Sequence, residues 1–412
     1  MVQPVIRSHT LPNGLTLVAE ANPDVRSAAF QILIPAGAAS EPASALGLTS
    51  VLENLSYRGA GSRDARQISD DLDQLGVQRG GGTDLEYTVF TGALLADDLG
   101  QALGIYADIV RRPALPADGL DGARQLCLQR LSSVDDNPTQ KLFIRLAAAY
   151  FSDPYGRSPL GTRAGLESIT TDTIRADHAN RYRPDGAILA VAGRFDWASL
   201  VDRVENLFSD WVGKGPENPL PDSAGRTRYL HVQEDSAQEQ IGVAWPDVTA
   251  DHPGYYASRM GIQVLSGGMG ARLFTEVREK RGLVYSVTAF TRTVRGAGLA
   301  LAYAGTTPER RQECLDVLLG ELQRLPDDVS EEELLRARTG LLSSLVLQGE
   351  SCSARAAAIG RDQFILGRVR SLDEVRAGIE SVTRESLLAH LRAHPARDFT
   401  IATLGPAPVE LL

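Results

Sequence analysis

"GKGPENPLPDSAGR", Gly213 to Arg226, packs three prolines and three glycines into one stretch with no apolar periodicity. Such a run continues neither a helix nor a strand, and it reads as a linker. It divides the 412-residue chain almost equally, as the joint of an internal repeat would. On the N-terminal side, "ADDLGQALGIYADIVRRPALP" predicts a helix from about Asp97, stopped at Arg112-Pro113. A proline turn ending at Pro116 then precedes another helical run. On the C-terminal side, "TPERRQECLDVLLGELQRLPDDVSEEELLRARTGLLSSL" follows the same plan with its turn at Pro326, an offset of 326 − 116 = 210. Ser330 and Glu333 form an S-x-x-E capping box for the second helix of that pair.

Strands fit the repeat. "GLTLVAEA" and "SAAFQILIPAG" open the first half, and "GAILAVAG" comes near its end. "EQIGVAWP" and "AGLALAYAG" serve the second half, and "FTIATLG" closes it. Short strands mixed with paired helices, in no strict alternation, predict an α+β fold of two homologous halves. Each half is expected to be a mostly antiparallel or mixed sheet with helices packed on one face. The halves are residues 1–212 and 227–412, joined by the 213–226 linker. Two unrelated α/β domains with coincidental turns are the alternative.

Composition is that of a soluble globular protein, 43% hydrophobic and 23% charged. A net charge of -10 argues against binding nucleic acid or an anionic membrane, which need a basic surface. The N-terminal "MVQPVIRSHTLPNGLTLV" lacks a signal peptide's apolar run and reads as a first strand. Cys127, Cys314 and Cys352 are too scattered for a disulfide framework or a structural zinc site. A reducing, cytoplasmic setting is expected.

One helix carries the frame of a metal site. In "GLTSVLENLSYRG" (Gly47–Gly59), Leu48, Val51, Leu52 and Leu55 make a core-facing stripe, with Ser50, Glu53, Asn54 and Tyr57 on the adjoining face. With histidines at Ser50 and Asn54 the run would read H-x-x-E-H, the inverted zinc-peptidase motif. His390 and His394 in "HLRAH" are one helical turn apart but read as a solvated helix end before Pro395. No nucleophile elbow, P-loop or C-x-x-C pair is present.

Five ordered stretches resemble the pitrilysin, insulinase or inverzincin family, and within it the mitochondrial processing peptidase-like branch with its bacterial relatives. They are "LPNGLTLVAE" with "AAFQILIPAGAASEP", "GLTSVLENLSYRGAGSR", "LGVQRGGGTDLEYTVF", "DDNPTQKLFIRLAAAYFSDPYGRSPLGT" and "LSGGMGARLFTEVREKRGLVYSV". The resemblance places the family's two zinc histidines at Ser50 and Asn54 and its general base at Glu53. The distal glutamate pair falls at Gln129 and Arg130. Catalytic zinc takes three protein ligands and an open position. A hydroxyl, an amide and a guanidinium do not supply them, so no metal is expected in this chain and the site is vestigial. Glu53 is expected to pair with Arg130.

The resemblance further implies that Arg278 and Tyr285, in "REKRGLVY", are the pair that grips the substrate backbone and its developing oxyanion in a partner's catalytic chamber. Taken alone, they read as a surface arginine and a tyrosine at a strand start. Gly80, Gly81 and Gly82 stand where an Asn-Ala pair and a bulkier residue are usual. They suit either addition of an extended peptide to a sheet edge or a glycine bulge. "SGGMG" (Ser266–Gly270) is either a mobile substrate-sensing loop or a tight turn. The expected protein is therefore a non-catalytic subunit of a zinc metallopeptidase. Its partner would be a homologous subunit with an intact H-x-x-E-H and the zinc, its ligand a peptide, and a homodimer is possible in isolation. A scaffolding role, like that of respiratory-complex core subunits, and a self-associated peptide-binding module are the alternatives.

Overall fold

The structure is a computed structural model that describes residues 5–411. The chain opens with strands β1 (Val5–Thr10), β2 (Thr16–Ala21) and β3 (Ser27–Ile34), followed by helix α1 (Leu48–Ser56). A short hairpin, β4 (Gly59–Ala60) and β5 (Arg63–Asp64), leads into α2 (Ala65–Gln74), β6 (Gln78–Thr83) and β7 (Thr88–Leu95). Next come α3 (Leu99–Arg111), α4 (Leu120–Ser132), α5 (Pro138–Tyr150), α6 (Arg163–Ser168), α7 (Thr171–Arg181), β8 (Ile188–Gly193) and α8 (Trp197–Phe208). Beyond the linker lie β9 (Tyr229–Gln233), β10 (Glu239–Asp247), α9 (Tyr255–Ser266), β11 (Val284–Val294) and β12 (Ala297–Thr306). The chain ends with α10 (Arg311–Asp328), α11 (Glu331–Gly349), α12 (Cys352–Leu366), α13 (Leu372–Glu380), α14 (Arg384–Ala393) and β13 (Thr400–Gly405). Among the described residues no helix is long and apolar enough to cross a membrane.

Two compact units result, and they are not the consecutive halves 1–212 and 227–412. One unit holds the chain through Ser133, Arg157–Pro219 and Gln348–Ser371; the other holds Val134–Gly156, Leu220–Leu347 and the chain from Leu372 onward. The linker is free of helix and strand, as its composition dictates, but each half gives one helix to the other unit: α5 goes to the second and α12 to the first.

In the first unit the sheet order is β1-β2-β8-β3-β7-β6. Every pairing is antiparallel except β2 with β8. Strands β3 and β8 are apolar along nearly their whole length because both sheet faces are covered. Phe30, Ile32 and Ile34 join the main core with α1 and α3, while Leu33 and Ala190 meet Ile359 and Phe364 of α12 on the other face. Gly360 permits that contact, since a side-chain carbon there would come 3.0 Å from both Ala190 and Leu33. A buried ion pair fixes the same helix: Arg355 Nε donates to Glu20 Oε1 at 2.9 Å, with both side chains almost fully enclosed.

The second unit repeats the scheme with order β11-β12-β10-β13-β9, its one parallel pairing being β13 with β9. Its core gathers Ile241, Val243, Ala302 and Ala304 with apolar residues of α9, α10 and α14. Helix α5 covers the other face, where Gly242 leaves room for Leu142 and Leu146. The predicted capping box is formed: Glu333 N donates to Ser330 Oγ at 3.2 Å, and Ser330 N to Glu333 Oε2 at 2.9 Å. The turn expected at Pro326 falls later, because α10 runs on to Asp328 with Pro326 inside it. A proline removes one helical N–H, and its ring is buried among the core residues here.

Breaking the Arg355–Glu20 pair from one side strands a buried charge, which costs about 3–5 kcal/mol. Arg355→Ala is therefore expected to lower the unfolding midpoint of the first unit in urea. Adding Glu20→Leu to that variant should restore most of the loss.

Candidate functional site

Helix α1 carries the vestigial face, and its start is set by tertiary contacts rather than by a local cap. Gly47 precedes the helix with φ 105° and no capping side chain. Glu41 replaces it, accepting from Gly47 N at 2.8 Å (Oε2) and from Thr49 N at 2.7 Å (Oε1). Buried Arg181, paired with Asp177 at 2.7 Å, donates to Thr49 Oγ1, Gly37 O and Ser40 Oγ and so ties α7 to the entry of α1. Burial raises the Glu41 pKa despite the two backbone donors and the Arg181 charge.

On the face of α1 where the resemblance places zinc ligands, the side chains are engaged within the chain. Ser50 Oγ donates to Pro159 O at 3.0 Å and shares a hydrogen bond with Thr83 Oγ1 at 2.8 Å. Asn54 Nδ2 donates to Ser50 O at 2.7 Å and to Glu53 Oε2 at 3.1 Å. These groups do not fit zinc: a hydroxyl and an amide donor stand where imidazole lone pairs are needed, and Arg130 brings a positive charge. Arg130 lies exposed on the last turn of α4. The expected Glu53–Arg130 ion pair is not formed among the described residues. Glu53 is buried, with Asn54 at one oxygen, and the arginine acts on it only through its field.

That enclosure changes Glu53. Burial raises its pKa from 4.5 to about 7, with the Arg130 charge pulling the other way. Facing it are the phenols of Tyr57, Tyr106 and Tyr182 and the thiol of Cys127. Burial raises each of them in turn, Tyr106 to about 12 and Cys127 to about 11.

The glycine segment forms β6, and its pairing with β7 keeps one unbroken register from Gln78↔Ala93 to Thr83↔Thr88. The bulge reading is therefore not what the strand adopts. β6 is the last strand of its sheet, with Gly80 and Gly81 exposed. A side-chain carbon on Gly81 would stand 3.3 Å from Glu53 Oε1 and 2.7 Å from Val89 O. Gly81 is thus an opening over Glu53, a contact that no sequence pattern announces.

Arg278 and Tyr285 belong to the second unit. Arg278 sits in a π-helical turn, Phe274–Glu279, that packs against β11; such turns are often found at functional sites. Its guanidinium lies over the Phe274 ring at 4.9 Å and makes no hydrogen bond or ion pair among the described residues. Tyr285 falls at a register shift between Val284 and Ser286 and is 68% exposed. The bulge turns its phenol outward, with no hydrogen-bond partner among the described residues. "SGGMG" is a tight turn with Gly268 at φ 144° and Met269 exposed at its tip. His390 and His394 stack at 4.8 Å with His252 nearby. Among the described residues no group of three His, Cys, Asp or Glu side chains is placed to hold a metal ion.

Residues 16–163 match the insulinase family (peptidase family M16), and residues 168–341 match the peptidase M16 inactive domain. An uncharacterized zinc protease of Mycobacterium tuberculosis is 31% identical over 409 residues, 97% of this chain and 93% of the relative. The chain belongs to the insulinase family of peptidases. A Bacillus subtilis member, also an uncharacterized zinc protease, is 27% identical over 98% of this chain and 99% of its own length. Among solved structures, a peptidase M16 inactive domain from Pseudomonas fluorescens superimposes with a TM-score of 0.88 at 21% identity, covering 99% of both chains. A protease from Helicobacter pylori gives 0.87 at 19%, over 98% of this chain and 100% of its own.

Glu53 gives the vestigial site a measurable signature. Its pKa is higher folded than unfolded, so between pH 4.5 and about 7 the folded state holds the extra proton. Stability therefore falls as pH rises through that window. Glu53→Gln is expected to match the natural protein below pH 4.5. Above pH 7 it should exceed it by up to about 3 kcal/mol, read by urea unfolding at both pH values.

Proposed function

We propose that this chain is the substrate-binding, non-catalytic subunit of a heterodimeric zinc metallopeptidase. A homologous subunit with an intact H-x-x-E-H would supply the zinc and the base. The observation that carries this reading is an asymmetry of polar groups. Ser50 and Asn54, at the old ligand positions, spend their hydrogen bonds inside the chain. Arg278 and Tyr285 leave theirs outside it. A guanidinium and a phenol held by a helical turn and a bulged strand are donors suited to a peptide carbonyl gaining negative charge.

The free edge of β6 adds a second binding element. An extended segment laid along it would meet backbone donors and acceptors with no side chains to clear at Gly80, Gly81 and Gly82. Of the described cysteines, all three are free thiols, which accords with a cytoplasmic setting. Arg278 and Tyr285 would then orient substrate at the partner's metal, and this chain would perform no bond cleavage of its own. Their exposure favours this reading over a scaffolding role, in which both residues would be dispensable.

Purified chain is expected to leave peptides uncut, and mixing it with the homologous H-x-x-E-H subunit should yield cleavage. In that complex Arg278→Ala or Tyr285→Phe should reduce turnover by about 100-fold without loss of assembly, the scale of removing one oxyanion donor. Full turnover by both variants would overturn the assignment.

A further inference from the structure

We propose that Glu53 selects a basic side chain, lysine or arginine, in the peptide strand that docks on β6, at the position across from Gly81. This rests on the edge docking described above and names which peptides that edge prefers. Glu53 has one oxygen committed, Oε2 to Asn54 Nδ2 at 3.1 Å. Oε1 has no hydrogen-bond partner among the described residues, and it lies 3.3 Å from where a Gly81 side chain would begin. A carboxylate oxygen thus sits behind the strand with only a glycine between it and the sheet edge.

Strand geometry makes this a selective contact. A residue directly across from Gly81 in a docked strand places its Cβ about 5 Å away, on the same face of the sheet. Its side chain therefore points toward Glu53 over a position that contributes no atoms of its own. The neighbouring Gly80 and Gly82 face the other side, Gly80 toward Thr91. Only alternate ligand residues can meet the carboxylate.

The chemistry then sorts the side chains. An ammonium or guanidinium completes a charge-assisted hydrogen bond with the open oxygen, and its methylene stem covers the strand. A neutral side chain leaves that oxygen without a donor. An acidic one sets two carboxylates together in a poorly solvated place. Arg130 does not take the role, for it makes no ion pair with Glu53 among the described residues. The chain's net charge of -10 also attracts basic peptides over longer range.

The test uses the full chain and labelled peptides of alanine, serine and threonine carrying one central lysine, norleucine or glutamate, free to slide into register. Binding is read by fluorescence anisotropy at pH 8.5, above the pH at which the buried Glu53 gives up its proton. The expected result is lysine over norleucine by about tenfold, with glutamate weakest, the scale of one charged hydrogen bond. In Glu53→Gln the norleucine peptide should bind as before and the lysine preference should vanish. Peptides that bind equally well to the natural chain, or a lysine preference that survives in Glu53→Gln, overturn the role of Glu53 while leaving edge docking intact. No binding of any peptide overturns the docking itself.

Discussion

The buried cap on α1 is the constraint from which the site follows. Helix α1 starts on a left-handed glycine and so lacks a side-chain cap of its own. Its leading N–H groups would be orphaned inside the unit without the Glu41 carboxylate. That carboxylate is held in an enclosed network in which Arg181 joins Asp177, Gly37, Ser40 and Thr49. Close approaches reinforce it: Gly161 and Gly165 lie so near Leu46 O that a side-chain carbon would stand at 2.3 and 2.4 Å. The helix cannot slide or rotate, and so Ser50 meets Thr83 of β6 and Glu53 lies behind Gly81.

Within that fixed frame, Ser50 and Asn54 build a closed polar cluster with Thr83, Pro159 and Glu53. Serine and asparagine satisfy each other and their neighbours, where two imidazoles would leave nitrogen lone pairs aimed at an ion. The helix, the edge strand and the carboxylate between them stay in fixed register with one another. In the second unit, Arg278 and Tyr285 are two donors without a side-chain hydrogen bond among the described residues.

Much of the fold was legible in the sequence because periodicity and punctuation are local. Val5–Thr10, Ser27–Ile34, Glu239–Asp247 and Ala297–Thr306 lie where strand patterning puts them, and Ser330 with Glu333 makes the cap its spacing implies. Partner choice was not legible. Glu20 and Arg355 are 335 positions apart, and an amphipathic helix does not state which of two similar sheets it covers. Pro326 misled for a related reason, since its burial in the core outweighs one missing hydrogen bond. At the site, residue types sufficed to argue against zinc. The Gly81 opening over Glu53, the outward bulge at Tyr285 and the raised Glu53 pKa all depend on packing between distant segments.

Helices α5 and α12 each belong to the unit built mainly from the other half of the chain. A protease that nicked the chain between Gly213 and Arg226 would cut the covalent bridge yet release neither product. Each fragment would still have one helix built into the other fragment's sheet. Separation would require peeling α12 from β3 and β8, and α5 from β10 and β13, exposing an apolar sheet face each time. Each half of the sequence thus carries a helix whose sheet lies in the other half, so the linker is not a boundary between two structural units.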